Sequence, residues 1–339
     1  MKEVEIKDAA GMVLAHDLTQ IIPGEFKGAR FKKGYVIKES DIETLLDMGK
    51  KHLFVVEKSD SDVHEDDAAM RIARAAAGNG IGLTVAKEGK VELFAEYDGL
   101  LKINTDMLAA LIDQDEVMFA SMHENRLVKK GDKLAGTRVI PLFVSEAVVA
   151  GAEKVCEKGP LIEIKKLQNL KIGVVTTGSE VYSGRIKDAF GPVLREKFSK
   201  LGSVVIEQLF ADDDEEMIAG CIRKLLDMGA DMVGVTGGMS VDPDDRTPAG
   251  IRKAGGRIVT YGAPVLPGSM FLFAYIGKTP VVGLPGCVMY NNISIFELIV
   301  PRILAGETLE RKDFKKLAHG GLCLNCETCS YPNCGFGKA

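Results

Sequence analysis

A chain of 339 residues with 46% hydrophobic and 27% charged positions is a globular protein of two or three domains, and this composition excludes a disordered or fibrous one. Its formal net charge of −5 and pI near 5.7 leave no electrostatic footprint for nucleic acid, so a small anionic ligand would need a local site. No basic stretch leads into an amino-terminal hydrophobic run, and no segment approaches bilayer-spanning length; the expectation is a cytoplasmic protein with no membrane or nucleic-acid partner. Residues 1–58 read as an α+β segment. VEIKDAAGMVLAHDLTQIIP alternates apolar and polar positions and is broken by Gly11 and Pro23. Ser40 and Glu43 have capping-box spacing ahead of a short helix through Leu45, Leu46 and Met48, closed by Gly49, and residues 53–56 read as a strand. The basic run of Lys27, Arg30, Lys32 and Lys33 is read as a solvated face.

Residues 59–165 change character to a β-rich module with helices. An Ala-rich helix is expected over 64–77, closed by Gly78-Asn79-Gly80. Short strands follow at 91–95, 99–103, 117–121, 126–129 and 134–140. The phrase GLLKIN...ENRLVKKGDKLAG resembles the paired turns of a barrel-sandwich domain of the biotinyl/lipoyl type. No Met-Lys-Met-like hairpin is present to carry a prosthetic group, so the module is read as structural. A helix over 145–156 leads through Gly159-Pro160 to a linker strand at 161–164.

From Lys171 onward strands and helices alternate: strand 172–176, helix 190–201, strand 203–208, helix 215–228, strand 232–236, a helix opening at Ala249, strand 281–284 and helix 290–304. That alternation predicts right-handed βαβ units, and hence a parallel sheet covered on both faces, over residues 166–310. The carboxyl edge of such a sheet is where α/β proteins hold ligands. Four sequence features fall at that edge. Thr176-Thr177-Gly178-Ser179-Glu180 brings hydroxyls, a glycine and an acid. Asp212-Asp213-Asp214 is an acidic run of which one member suffices as a helix cap. VGVTGGMSVDPDDRTP, residues 233–248, joins a glycine pair to Asp242, Asp244 and Asp245, whose oxygens suit a hard cation such as magnesium. Leu284-Pro285-Gly286-Cys287 is a tight turn into a helix amino end.

In this order and spacing TTGSEV, ADDDEEMI, TGGMSVDPDDRTP and GLPGC resemble the molybdopterin-binding domain of molybdenum-cofactor biosynthesis proteins, over roughly residues 168–308. The wider layout is similar to that of the molybdopterin molybdenumtransferases, which place further domains ahead of this one. The resemblance implies a three-layer parallel-sheet α/β domain preceded by smaller α+β and β-rich domains. It also implies binding of molybdopterin, a pterin phosphate bearing a dithiolene, or of its adenylylated form, and insertion of molybdate with Mg2+. Carried onto this sequence, Asp213 and Asp245 become the paired carboxylates of the reactive end and the magnesium ligands. Thr177, Gly178, Ser179, Glu180 and Asp188 line the pterin site. Gly237, Gly238 and Ser240 hold the phosphate, and Pro285 and Gly286 complete the pocket. Three departures stand out: Ala189-Phe190 where the family usually has Ser-Asn, Asp242 where Gly is usual, and Cys287 where Asn normally follows the LPG turn. No covalent protein nucleophile is needed, and Cys287 before an apolar helix is read as packing. The five histidines, His16, His52, His64, His123 and His319, are scattered and propose no site.

Residues 311–339 form a cysteine-rich tail. Cys323, Cys326, Cys329 and Cys334 make a C-x2-C-x2-C-x4-C run, which without secretory context reads as metal ligation, either an iron–sulfur cluster or zinc. Two functions stay open. One is a cofactor-assembly transferase; the other is a carrier or sensor of the finished cofactor, with the tail as its contact to a molybdoenzyme. Pyrophosphate hydrolysis on the same fold is a third option, because fold does not fix chemistry. A homo-oligomer is expected.

Overall fold

Uninterrupted apolar runs build the centre of a six-stranded sheet, because a strand buried on both faces has no polar side to alternate with. The computed structural model describes residues 2–22, 25–56, 62–140, 142–240, 242–243 and 245–338. Pro23, Asp244 and the expected boundary at residues 58/59 lie outside the described residues. By contacts the chain divides into one unit of residues 1–97, 102–122 and 129–164, and another of 98–101, 123–128 and 165–339. No helix among the described residues is long and apolar enough to cross a membrane.

In the first unit Lys2–Glu5 pairs antiparallel with His52–Val55, and Leu18–Ile22 pairs with Phe26–Phe31. Their inward side chains, with Ile37 and Leu45, form a small core. The short helix is there, Ile42–Asp47, and Gly49 closes it at φ 74°. Its capping differs from expectation. Asp41, not Ser40 with Glu43, turns back to accept from the Lys38 amide at 2.8 Å, because a 3-10 turn over Glu39–Asp41 precedes the helix and shifts its start. The Ala-rich helix spans Glu65–Ala76 with His64 as its cap. A four-stranded antiparallel sheet contains Ile81–Leu83, Lys90–Ala95, Lys133–Val139 and Val117–Ser121 in that spatial order. The sequence reading passed over the helix Thr105–Ile112, whose start is set by Asn104 accepting from the Met107 amide at 3.0 Å.

In the second unit the elements of the α/β domain are β1 (Lys171–Thr177), α1 (Ser179–Tyr182), α2 (Phe190–Lys200), β2 (Val204–Ala211), α3 (Glu215–Asp227), β3 (Met232–Thr236), α4 (Thr247–Lys253), β4 (Arg257–Tyr261), β5 (Leu272–Ile276), β6 (Thr279–Leu284), α5 (Cys287–Tyr290), α6 (Ile295–Leu304) and α7 (Arg311–Lys316). The strand order is β2-β1-β3-β6-β5-β4. Pairing is parallel from β2 to β6 and antiparallel beyond, so the sheet is mixed where the alternation predicted a parallel one. The two extra strands went unread because Gly255, Gly256, Gly262 and Gly268 break their flanks into short pieces. Successive residues of β1 enter opposite cores. Val174 packs with Leu194, Phe198 and the helix α6, whereas Val175 packs with Ile218, Ile222 and Ile251 of α3 and α4. Helices thus cover both faces, which gives three layers. The expected helix over 290–304 starts later, at Ile295: Tyr290 is the last residue of the separate short helix α5, and a Ser294–Glu297 capping box starts α6.

Candidate functional site

The register of the parallel strands decides where the loops open. Thr177 is level with Ala211, Thr176 with Thr236, and Thr236 with Leu284, so the carboxyl ends of β2, β1, β3 and β6 form one rim. The chain leaves that rim as residues 178–189, 212–214, 237–246 and 285–286. All the sequence-derived site residues of the α/β domain therefore lie on its carboxyl side, as the general behaviour of open α/β sheets requires of a ligand site.

Beneath the rim is a buried hydroxyl group of contacts. Thr177 Oγ1 donates to the Thr236 carbonyl at 3.0 Å and stands 3.1 Å from Thr247 Oγ1, which in turn donates to the Gly237 carbonyl at 2.9 Å. Thr236 and Thr247 are wholly buried. These bonds tie the exits of β1 and β3 to the first turn of α4, where Pro248 sits as the helix opens. They also explain the glycine pair. Gly237 has φ 86°, and a Cβ there would run into the Thr177 carbonyl oxygen.

The three consecutive aspartates divide their work. Asp214 caps α3 by accepting from the Met217 amide at 2.8 Å, and Asp212 accepts from the Asp213 amide at 2.9 Å. Asp213 crosses to the neighbouring loop, where its Oδ2 accepts from the Ser179 amide at 3.0 Å and the Ser179 hydroxyl at 3.1 Å. Its Oδ1 accepts no hydrogen bond among the described residues. Asp245 accepts from the Asp242 amide through Oδ2 at 3.0 Å, and its Oδ1 is likewise without a partner among the described residues. Asp242, the acid that departs from the family pattern, is thus part of the turn that orients Asp245. Asp244 lies outside the described residues. Glu180, Ser240 and Gly286 are exposed at the rim, Gly178 and Pro285 are buried in it, and Gly238 is half-buried.

Asp188 is committed to structure. Its carboxylate accepts from the Phe190 and Gly191 amides at 2.9 and 3.0 Å, capping α2, and from Gln208 Nε2 at 2.7 Å. Gln208 donates also to Thr176 Oγ1 at 2.9 Å, so this pair holds the α1–α2 loop to the sheet. Cys287 is half-buried, and burial pushes its thiol up, away from the reactive thiolate.

Two features were missed by the sequence reading. Tyr261 donates its hydroxyl to the Met239 and Ser240 carbonyls, both at 3.1 Å, bracing the glycine-pair loop from the antiparallel edge. Burial, then the nearby Asp245 carboxylate, push that phenol up and keep it a donor. The β4 strand that carries it was not read at all, so no sequence signal pointed to it. A cavity of about 500 Å³ beside α1 is lined by Tyr182, Lys187, Asp188, Arg195, Gln208 and Phe210. Its two aromatic rings are about half exposed and it carries two cations, which suits a flat, anionic ligand. Scattered single residues on different elements leave no motif for that combination.

Residues 173–305 match a protein family described as a probable molybdopterin binding domain. The resemblance carried by the four motifs therefore holds for the segment that contains all of them. Residues 3–57 match a domain of unknown function. A molybdopterin molybdenumtransferase of Haemophilus influenzae is 28% identical over 202 residues, covering 57% of this chain and 46% of that protein. A CinA-like protein of Syntrophus aciditrophicus is 38% identical over 87 residues, which cover 26% of this chain and 20% of that protein. The chain thus spans less than half the length of these curated relatives. A solved molybdopterin biosynthesis moea protein from Pyrococcus horikosii aligns over 90% of this chain and 74% of its own at 15% identity, with a TM-score of 0.35.

Proposed function

We propose that the α/β domain binds molybdopterin, free or adenylylated, and that the protein acts in molybdenum-cofactor biosynthesis by inserting molybdate. The observation that carries this reading is the common rim: four loops with the family's motifs open side by side, and Asp213 of one is bonded directly to Ser179 of another. In this reading Thr177, Gly178, Ser179 and Glu180 line the pterin, with the cavity beside Tyr182 and Phe210 taking its flat ring. Gly237, Gly238 and Ser240 cradle the phosphate, and Pro285 and Gly286 close the far side.

In this reading Asp213 and Asp245 are the magnesium ligands; each keeps a carboxylate oxygen unused by the described residues, and magnesium is commonly held by one or two carboxylates plus a ligand's phosphates. Bound there, the cation would neutralise phosphate and molybdate charge. The chain's own part is positional. Ser179 fixes Asp213, the Asp242 turn fixes Asp245, and the threonine contacts beneath tie the end of β1, just before Ser179, to the loop that carries Asp245. Cys323, Cys326, Cys329 and Cys334 are assigned to a metal, and a second copy of the chain and a molybdoenzyme are the partners proposed.

The test is to measure molybdopterin binding and molybdate insertion by the full chain with and without magnesium, for the natural sequence and for Asp245→Asn. The transferase reading expects Asp245→Asn to abolish turnover while retaining the pterin. No pterin binding by the natural sequence, even with magnesium present, would sink it. A carrier or sensor role is the second reading, favoured by Asp188: its carboxylate is occupied by the α2 cap and Gln208, and Ala189-Phe190 follow it where polar residues are usual. That reading expects tight binding of the finished cofactor and no turnover to lose.

A further inference from the structure

The tail after α7 is held at its two ends and unstructured between them. Its entry is fastened by the Leu266 amide donating to the Gly321 carbonyl and the Cys323 amide donating to the Leu266 carbonyl, both at 2.8 Å. Its exit is fastened by the Gly337 amide donating to the Gly320 carbonyl at 2.8 Å and by burial of Phe336 in the main core of the domain. Arg126 donates to Asn333 from outside the tail. Between these anchors residues 324–330 form no helix or strand, and Asn325 takes a left-handed turn at φ 50° between the first two cysteines. These residues are exposed, so water serves their backbone polar groups and no backbone pairing sets their path.

What the stretch does share is one cavity. Cys323, Cys326, Cys329 and Cys334 all line a space of about 540 Å³ rimmed by Tyr290, Leu322 and Leu324. Those three rim side chains are 80%, 62% and 79% exposed, an apolar collar around a set of thiols. Among the described residues no three His, Cys, Asp or Glu side chains converge as a site for a single metal ion. The two candidates for the tail differ in the ligand spacing they need. A zinc ion needs four sulfurs at about 2.3 Å from one centre, so they must nearly touch one another. An iron–sulfur cluster places its own iron and sulfide atoms between the thiolates and takes sulfurs set further apart around a larger volume.

We propose that the four tail cysteines hold a single [4Fe–4S] cluster in this cavity, with all four ligands from the tail. The inference rests on reading the tail as a metal site and is independent of the pterin reading. In the two-cluster ferredoxin pattern that also begins C-x2-C-x2-C, the fourth cysteine serves a different cluster. Here Cys334 lines the same cavity as the first three, which closes the ligand set within one loop. The cavity also borders Asn291, Asn292 and Ile293, the segment that leaves the Pro285-Gly286 turn through α5, so the cluster would sit one short helix away from the proposed pocket.

The test is to purify the full chain without oxygen from cells supplied with iron, and to measure iron, acid-labile sulfide and zinc, with electron paramagnetic resonance after dithionite reduction. The expected result is about four iron and about four sulfide per chain. Cys326→Ser and Cys329→Ser, both at exposed positions, should lose most of that iron and sulfide with the domain still folded by circular dichroism, and Cys221→Ser should keep it. About one zinc per chain without sulfide would overturn the inference while leaving the tail a metal site. A disulfide among the four cysteines, or no metal after anaerobic reconstitution with ferrous iron and sulfide, would overturn both.

Discussion

Thr177 Oγ1 lies 3.1 Å from Thr247 Oγ1, a contact across 70 residues of sequence that joins the end of β1 to the start of α4. Two hydroxyl protons serve three acceptors here: the Thr236 carbonyl, the Gly237 carbonyl and one of the hydroxyl oxygens. Thr247→Val keeps the shape and removes a donor, leaving the Gly237 carbonyl without its partner. A fully buried acceptor stripped in this way costs about 1–3 kcal/mol, and this part-buried one should sit at the low end, about 1 kcal/mol. Urea denaturation should show that loss for Thr247→Val and little for Thr247→Ser, and the valine variant should bind the pterin ligand more weakly.

Gly237→Ala tests the same floor from above. A left-handed φ costs an ordinary residue roughly 1–2 kcal/mol, and here the added methyl also meets the Thr177 carbonyl, which is backbone and cannot swing aside. The loop, not the sheet, is expected to yield. Pterin affinity should fall at least tenfold by titration calorimetry while the far-ultraviolet circular dichroism stays that of the natural protein; an unchanged affinity would show that the glycine pair does not touch the ligand.

Much of this site was legible because its signals are local. TTGSE, DDD, TGG and LPG each sit at the end of a strand-like segment, and the alternation of strands with helices places them at one sheet edge. The division of labour within DDD was legible only as arithmetic, since one acid suffices for a cap; that Asp214 caps and Asp213 crosses to Ser179 depends on the register of β1 against β2. Tyr261 and the antiparallel pair β4–β5 were invisible because their pairing is set by contacts between segments separated by glycine turns. Asp188 was legible only in part, for a related reason. Its sequence context is that of a ligand contact, whereas its geometry is that of a helix cap reached from two residues before α2, and side-chain capping competes for the same oxygens a ligand would use.

That competition yields a third prediction. Asp188→Ala removes two amide acceptors from the first turn of α2 and the partner of Gln208, so it should destabilise the domain by about 1 kcal/mol, the usual cost of a lost cap. Asp188→Asn keeps one acceptor oxygen but sets an NH2 against the donors that met the other, so it should recover only part of that. If Asp188 were instead a ligand contact, both variants would leave the denaturation midpoint alone and lower pterin affinity equally.

His64 gives the first unit a pH dependence. Its Nδ1 accepts from the Asp66 amide at 3.1 Å, capping the helix Glu65–Ala76, and its Nε2 bonds the Ala15 carbonyl at 2.9 Å. Both contacts are served by the neutral ring, with the proton on Nε2. Burial first, then the charge of Lys33, hold its pKa below the ordinary 6.5, against the Ala15 bond and the carboxylates of Asp66 and Asp67, which pull the other way. A pKa lowered by folding means that protons bind the unfolded chain more readily. The stability this ring contributes is therefore complete above the unfolded value near 6.5 and is lost as the pH falls from there through the lower folded value. His16, also lowered by burial, acts with the same sign. His64→Asn retains a cap acceptor without a titrating ring, so between about pH 7.5 and pH 5.5 its melting temperature should fall less steeply than that of the natural protein. Parallel curves for the two proteins, followed by differential scanning calorimetry, would show that this cap does not titrate.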